Sequence, residues 1–337
     1  MPEDSLTNPL PTKPDVLLLG EGLTARTALR SLIRCCRVVG VIRSSAENEE
    51  DPVRVDAAQA GVHFLTLEHL NELRKFIAQA QPAAVVISSF NRILPAEILN
   101  LSRFINVHYS PLPRYRGRAN VNWALINGEP TAAISIHDVS PWLDSGDILF
   151  QEEIPIQPGD TFTSLYCRLN SIQERVLGRV VVDALAGSFG TPQDHNKATY
   201  GCARIPDDGE IDWSRSTIDI DRLIRGLSPP FPGAFTHLEG QRLVVVRASP
   251  LCDAAYYLGR VPGRVVHRSE AAGWVDALTG DGILRVFEVI PESGGLSPAA
   301  TLIKSTRATL GLSRLDLLRR INALEKRLAA LEAGNHS

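Results

Sequence analysis

Asn106 and His108 stand two residues apart at the end of an apolar run, and the later loop Trp142-Leu-Asp144-Ser-Gly-Asp147 could return a carboxylate to the same edge. Alternate residues of a strand share a face, so the amide and the imidazole would emerge together. An amide N–H can stabilise a developing oxyanion. A histidine titrating near neutrality can carry a proton. A carboxylate can hold the imidazole and help drain that proton. Each type alone would read as a turn or cap residue. Their arrival inside the dense stretch Asn106-Val-His108-Tyr-Ser-Pro-Leu-Pro-Arg-Tyr-Arg-Gly117 makes a site the better reading.

Gly20-Glu-Gly22-Leu-Thr-Ala25 is a second candidate, because it fits a relaxed dinucleotide fingerprint between a strand and a helix. Such turns also serve other anions, or only tight packing. The next strand ends in Arg43, where a nicotinamide site would want an acid for the ribose.

The elements that must position these groups read as α/β. Residues 15–20, 38–42 and 83–87 are short apolar strands, with helical stretches at 24–36 and 67–80 between them. This alternation predicts a parallel, Rossmann-like sheet. A short helix at 95–101, strands at 104–108 and 132–137, and a long helix at 161–186 complete a domain over 15–189, after a loose tail at 1–14. Residues 190–202 read as a polar linker. Short β-rich runs from 203 to 300, with Thr279-Gly-Asp-Gly282 as a hairpin-like connection, predict a small OB-like β-barrel. Within 301–337, Leu317, Ile321, Leu324, Leu328 and Leu331 form an amphipathic helix of about two and a half heptads. It could pack on its own chain or mediate an oligomer, and a homodimer is the expectation.

At 337 residues the chain exceeds the roughly 250–300 at which one core stops growing. A formal charge of -3 argues against a protein built mainly to grip nucleic acid. The five cysteines form no C-x-x-C pair, so neither a zinc site nor a redox motif is expected, and no metal. No apolar run reaches the ~18 residues of a membrane span. These features predict a cytoplasmic protein with no membrane partner.

The segment Asn106–Asp147 closely resembles the formyltransferases that use 10-formyltetrahydrofolate, a family including glycinamide ribonucleotide, methionyl-tRNA and sugar N-formyltransferases. The matching pieces are N-V-H, S-P-L-P-R-Y-R-G, Trp123–Glu129, Leu143–Asp147 and, upstream, Ser89–Pro95. Weaker likeness continues through Ala203–Trp213, Leu223–Arg225, Pro230–Ala234 and Thr279–Gly282. Pro111 departs from the family's usual leucine. The resemblance implies formyl transfer to an amine through a tetrahedral intermediate handled by Asn106, His108 and Asp144. It places the folate near Phe90, Arg92, Ile93, Leu94, Val139, Ser140 and Leu143, with ordinary core as the lesser reading of Ile93 and Leu94. It suggests the acceptor near Ser110, Tyr115, Arg116 and Arg204.

For the acceptor, the acidic stretch Glu47-Asn-Glu-Glu-Asp51 occupies the place of the tRNA enzyme's basic insertion. Carboxylates there would repel a polyanion. The Tyr-Arg-Gly-Arg118 extension and Pro230–Ala234 look most like sugar enzymes. The expectation is therefore the primary amine of a nucleotide-linked amino sugar. Methionyl-tRNA, an amino-acid-derived amine or hydroxylamine, and a dehydrogenase-like or non-catalytic binder remain as alternatives.

Overall fold

The computed structural model describes residues 12–44, 51–252, 255–312 and 314–334. Residues 1–11 of the expected tail and the acidic Glu47, Glu49 and Glu50 lie outside them. In chain order the first elements are β1 (Asp15–Gly20), α1 (Gly22–Cys35), β2 (Arg37–Arg43), α2 (Pro52–Gln59), β3 (Phe64–Thr66), α3 (Leu70–Ala80), β4 (Ala84–Ser88), α4 (Ala96–Leu99) and β5 (Arg103–His108). There follow β6 (Arg116–Gly117), α5 (Asn120–Ile126), β7 (Thr131–Asp138), β8 (Ile148–Pro155), α6 (Phe162–Leu185) and β9 (Tyr200–Gly201).

Seven of these strands form one sheet in the order β3-β2-β1-β4-β5-β7-β8. It is parallel as far as β5, as the alternation predicts, but β7 runs antiparallel to both of its neighbours, β5 and β8. Residues 139–147 join β7 to β8 as a loop with no crossover helix, which suits an antiparallel pair. Leu17, Leu18 and Leu19 are fully buried, each contributing about 1.5–3 kcal/mol by leaving water. The helix over 52–59, missed by the periodicity, starts on a local signal: Pro52 opens it and the Asp51 carboxylate caps Val53 N–H.

The chain divides into two compact units. The first runs through Val121 and includes Pro130–Ile156 and Ser164–Ala203. Inside it α6 meets α1 through polar groups: fully buried Gln173 donates to Thr24 O at 2.7 Å and to Thr27 Oγ1 at 3.0 Å. Its Oε1 accepts from the Tyr109 hydroxyl at 2.9 Å. Residues 190–202, read as a linker, belong to this unit, since β9 pairs with β6.

The second unit takes Asn122–Glu129, Gln157–Thr163 and the chain from Arg204 onward. Its elements are α7 (Thr217–Gly226), β10 (Ala234–Leu238), β11 (Gln241–Pro250), β12 (Val265–Ser269), β13 (Trp274–Leu278), β14 (Ile283–Pro291), β15 (Ser297–Pro298), α8 (Ala299–Leu302) and α9 (Arg314–Gly334). The antiparallel sheet runs β10-β11-β14-β13-β12. Leu310 bridges Leu238 and Thr309 bridges Arg264, so one short segment links both edges of the sheet. Ile126, Trp213, Ile224, Leu243 and Val286 share the core beneath it. The terminal helix is described over Arg314–Gly334 and begins later than the expected 301, because 309–310 is spent on the sheet.

Candidate active site

Asn106 and His108 close β5, and antiparallel pairing sets Asn106 opposite His137 on β7. The Asn106 amide Nδ2 reaches His137 Nε2 at 3.1 Å, and His137 Nδ1 reaches Asp138 O at 2.9 Å. A carbonyl can only accept, so Nδ1 carries the His137 proton and Nε2 accepts from Asn106. Burial, reinforced by neighbouring His108, pushes His137 down to about 4, keeping the ring neutral. One Nδ2 hydrogen of Asn106 is thereby fixed and the other is aimed away from His137.

The same reasoning assigns His108. Its Nε2 lies 2.8 Å from Tyr115 O, so Nε2 carries a proton. The Asn120 amide, oriented with its oxygen at 2.9 Å from Nε2, accepts from His108 while its nitrogen donates to Tyr115 O and Arg118 O. His108 Nδ1 then faces Asp144 Oδ2 across 3.7 Å. His137 Nε2 lies 3.8 Å from the other oxygen of the same carboxylate. These gaps exceed a hydrogen bond and leave Nδ1 as a base with a carboxylate behind it.

Asp144 is reached through a backbone that few residues tolerate. Its φ is 46°, and Gly117 N–H donates to its Oδ2 at 2.8 Å. At Gly146 a Cβ would stand 1.8 Å from Asp138 O, so only glycine permits the tight return from β7 to β8. Residues 193–201 brace this loop. Gln193 Nε2 donates to Asp144 O at 2.9 Å and Gly146 O at 2.6 Å, while its Oε1 accepts from Arg116 Nη2 at 2.7 Å. Arg116 also lies 2.9 Å from His195 Nδ1.

The structure thus brings Asn106, His108 and Asp144 together, and adds His137, Asn120 and Gln193, which the sequence reading omitted. His137 was visible as the end of an apolar strand, but its register opposite Asn106 was not. Gln193 lies in a polar stretch with no periodic signal. Of the residues expected at the acceptor, Arg116 is buried and held by Gln193, so it braces the loop. Ser110 is likewise buried, its hydroxyl donating to Arg114 O at 2.9 Å. Tyr115 serves His108 through its backbone carbonyl. Arg204 belongs to the second unit, where it stacks over Trp123 at 5.0 Å.

On the folate side, Phe90, Leu94 and Val139 pack against one apolar cluster. Ile93, for which a core role was open, is 87% exposed, and Leu143 is also exposed. Arg92 donates to Glu68 O and Ser44 O, tying its loop down. The Ser140 hydroxyl bonds Trp142 O and Ser145 within its own loop. The glycine turn after β1 is occupied too: Asp51 accepts from Gly22 N–H at 3.1 Å, filling with a carboxylate the place a cofactor phosphate would take. Among the described residues no three His, Cys, Asp or Glu side chains are grouped to hold a metal. Nor is any described helix long and apolar enough to cross a membrane.

A Rossmann-like sheet with this amide, imidazole and carboxylate at one strand end describes a class of group-transfer enzymes. Residues 38–181 match the family model for formyl transferases, and residues 205–307 match that for the formyl transferase C-terminal domain. The chain belongs to this family: it is an N-formyltransferase dependent on 10-formyltetrahydrofolate. A methionyl-tRNA formyltransferase of Sorangium cellulosum is 31% identical over 88% of this chain and 98% of its own length. A 4-N formyltransferase from Francisella tularensis shares the fold, with a TM-score of 0.57 and 16% identity, over 68% of this chain and 95% of its own. HypX from Aquifex aeolicus, solved with tetrahydrofolic acid, has a TM-score of 0.60 at 17% identity and covers 88% of this chain, which spans about half of HypX (48%).

Proposed function

We propose that the chain transfers the formyl group to the amine of a methionyl-tRNA. The observation carrying this reading is the likeness to a methionyl-tRNA formyltransferase along 98% of that protein, through both domains. It replaces the nucleotide-linked amino sugar as the leading acceptor. The sugar reading keeps one specific support, the chain's net charge of -3 with Glu47, Glu49 and Glu50 where a polyanion would want cations. Asp51 no longer counts toward it, being buried and committed to Gly22, Val53 and, at 3.8 Å, Arg43.

In this mechanism 10-formyltetrahydrofolate supplies the one-carbon unit. The aromatic and aliphatic wall of Phe90, Leu94 and Val139 suits a planar ring, and Ile93 and Leu143 add apolar surface from the same two loops. Asn106 presents its remaining amide hydrogen to the oxygen on which negative charge develops. His108 takes a proton from the attacking amine at Nδ1, while Nε2–H stays bound to Tyr115 O. Asp144 stabilises the imidazolium that results, and that imidazolium would give its proton to the folate nitrogen that leaves as the bond to the formyl carbon breaks. Five cysteines without a pairing motif fit a reducing, cytoplasmic location.

The test supplies 10-formyltetrahydrofolate with either charged methionyl-tRNA or nucleotide-linked 4-amino sugars, and follows the added formyl group by mass. Formyl-methionyl-tRNA at a rate well above that of any sugar supports the proposal. Formylated sugar with unchanged methionyl-tRNA overturns it in favour of the second reading.

A further inference from the structure

Helix α9 carries an apolar stripe that its own chain does not cover. Leu317, Ile321, Leu324, Leu328 and Leu331 are spaced four and three residues apart in alternation, and all remain exposed, Leu331 by 68%. That spacing is the a/d repeat of a coiled coil, with leucine at each d (317, 324, 331) and Ile321 and Leu328 at a. From it the flanking positions follow. Arg320 and Arg327 fall at g, and Glu325 at the e that follows Arg320. In a parallel pair, g of one helix meets the following e of the other, so Arg320 of one copy meets Glu325 of the other. In an antiparallel pair g meets g and e meets e, which sets arginine against arginine and glutamate against glutamate. We infer that α9 pairs with α9 of a second copy of this chain in a parallel, two-stranded coiled coil.

The remainder of the helix is compatible with this pairing. Arg320 holds α9 to the turn after β10, donating to the carbonyls of Glu239 and Gly240. A guanidinium has five N–H groups, so these bonds leave donors for a partner's carboxylate. At 21 residues the helix is roughly 31 Å long, enough for five core layers but short for a coiled coil. The pairing is accordingly weak and sensitive to dilution. Leucine at each d, with β-branched Ile321 at one of the two a positions, suits two strands. The inference is independent of the acceptor, because no α9 residue belongs to the candidate site.

Sedimentation of the full chain from about 1 to 200 μM tests it. The expected result is a monomer–dimer equilibrium whose dissociation constant rises at least tenfold in Leu324→Lys, with unchanged helicity by circular dichroism and unchanged kcat. A second variant, Glu325→Arg, leaves the stripe intact and is expected to weaken the dimer, with partial recovery in high salt. Direction is read from Leu331→Cys: in a parallel pair the two thiols meet, so mild oxidation links the chains, and wild type under the same conditions does not link. A chain that stays monomeric to 200 μM overturns the inference. So does a dimer indifferent to Leu324→Lys, or a Leu331→Cys protein that does not link. If α9 instead grips RNA, the chain stays monomeric and the Glu325→Arg variant binds tRNA more tightly, which also overturns it.

Discussion

Each histidine of the site is held in one tautomer by a backbone carbonyl. The Tyr115 and Asp138 carbonyls fix the protons of His108 and His137, and the two rings meet edge to face at 6.2 Å. Asp144→Asn keeps an oxygen for Gly117 N–H but removes the charge behind His108 Nδ1. It is expected to lower kcat about 100-fold or more while leaving the melting temperature nearly unchanged, as steady-state kinetics beside calorimetry would show. His137 gives a pH prediction. Its folded value, about 4, lies below its ordinary value near 6.5, so between them the unfolded chain binds the extra proton. Stability from this residue is therefore full above pH 6.5 and is lost as pH falls toward 4. Between pH 7 and 5 the wild type should lose about 2 kcal/mol more than His137→Gln, measured by denaturant unfolding at both values. Asn106 and His108 were marked by type and spacing, whereas Asp144 was singled out from Asp147 by the resemblance alone. Asn120 and His137 were not legible, because their roles depend on which carbonyl or amide faces them across a turn or a strand pair.

At the scale of elements, the carboxylate loop depends on a segment some fifty residues further along the chain. Gln193 joins Arg116 to the carbonyls on either side of Ser145, and β9 lies against β6. Gln193→Ala removes two donors and one acceptor at once and leaves the buried Arg116 guanidinium short of a partner. A stability loss of about 1–3 kcal/mol is expected, together with a fall in kcat that Gln193→Glu does not rescue, since a carboxylate cannot donate to the Asp144 and Gly146 carbonyls. Thermal unfolding and kinetics on both variants check this. The strands and main helices were readable because apolar runs and 3.6-residue periodicity survive in the sequence. The brace was not, since a polar stretch with one proline looks the same whether it hangs free or straps a loop. The reversed direction of β7 was equally hidden: strand polarity leaves no period in the sequence.

For the molecule as a whole, charge is the property that separates the two acceptors. A nucleotide-linked sugar brings one or two phosphates, whereas a tRNA contacts the protein with several. If three phosphates are neutralised, raising salt from 50 to 200 mM should weaken tRNA binding by roughly 40-fold, from the counterion slope of about -0.9 per contact. KM for methionyl-tRNA measured across that range is expected to rise accordingly, while KM for the folate changes little. An almost flat response would remove polyanion recognition from the account. The net charge of -3 could be read from composition, but composition does not report where the arginines sit. Many prove to be committed internally, among them Arg103 to Asp138 and Arg285 to Asp276.

The segment at Thr309 and Leu310 links both edges of the second sheet, and that has a consequence for the order in which the molecule comes into being. A growing chain emerges N-terminus first, and domains fold as units when their last piece appears. Everything the first unit uses has been made once Ala203 has left the ribosome. Ile126, synthesised far earlier, belongs to the core of the second unit and has to wait for partners such as Ile224 and Leu243. The sheet above that core stays an open ribbon, with unsatisfied margins, until residue 310 arrives to seam it. The newborn protein therefore passes through a stage with its catalytic half complete and an apolar remnant of the other half exposed, the interval in which a nascent-chain chaperone has most to protect.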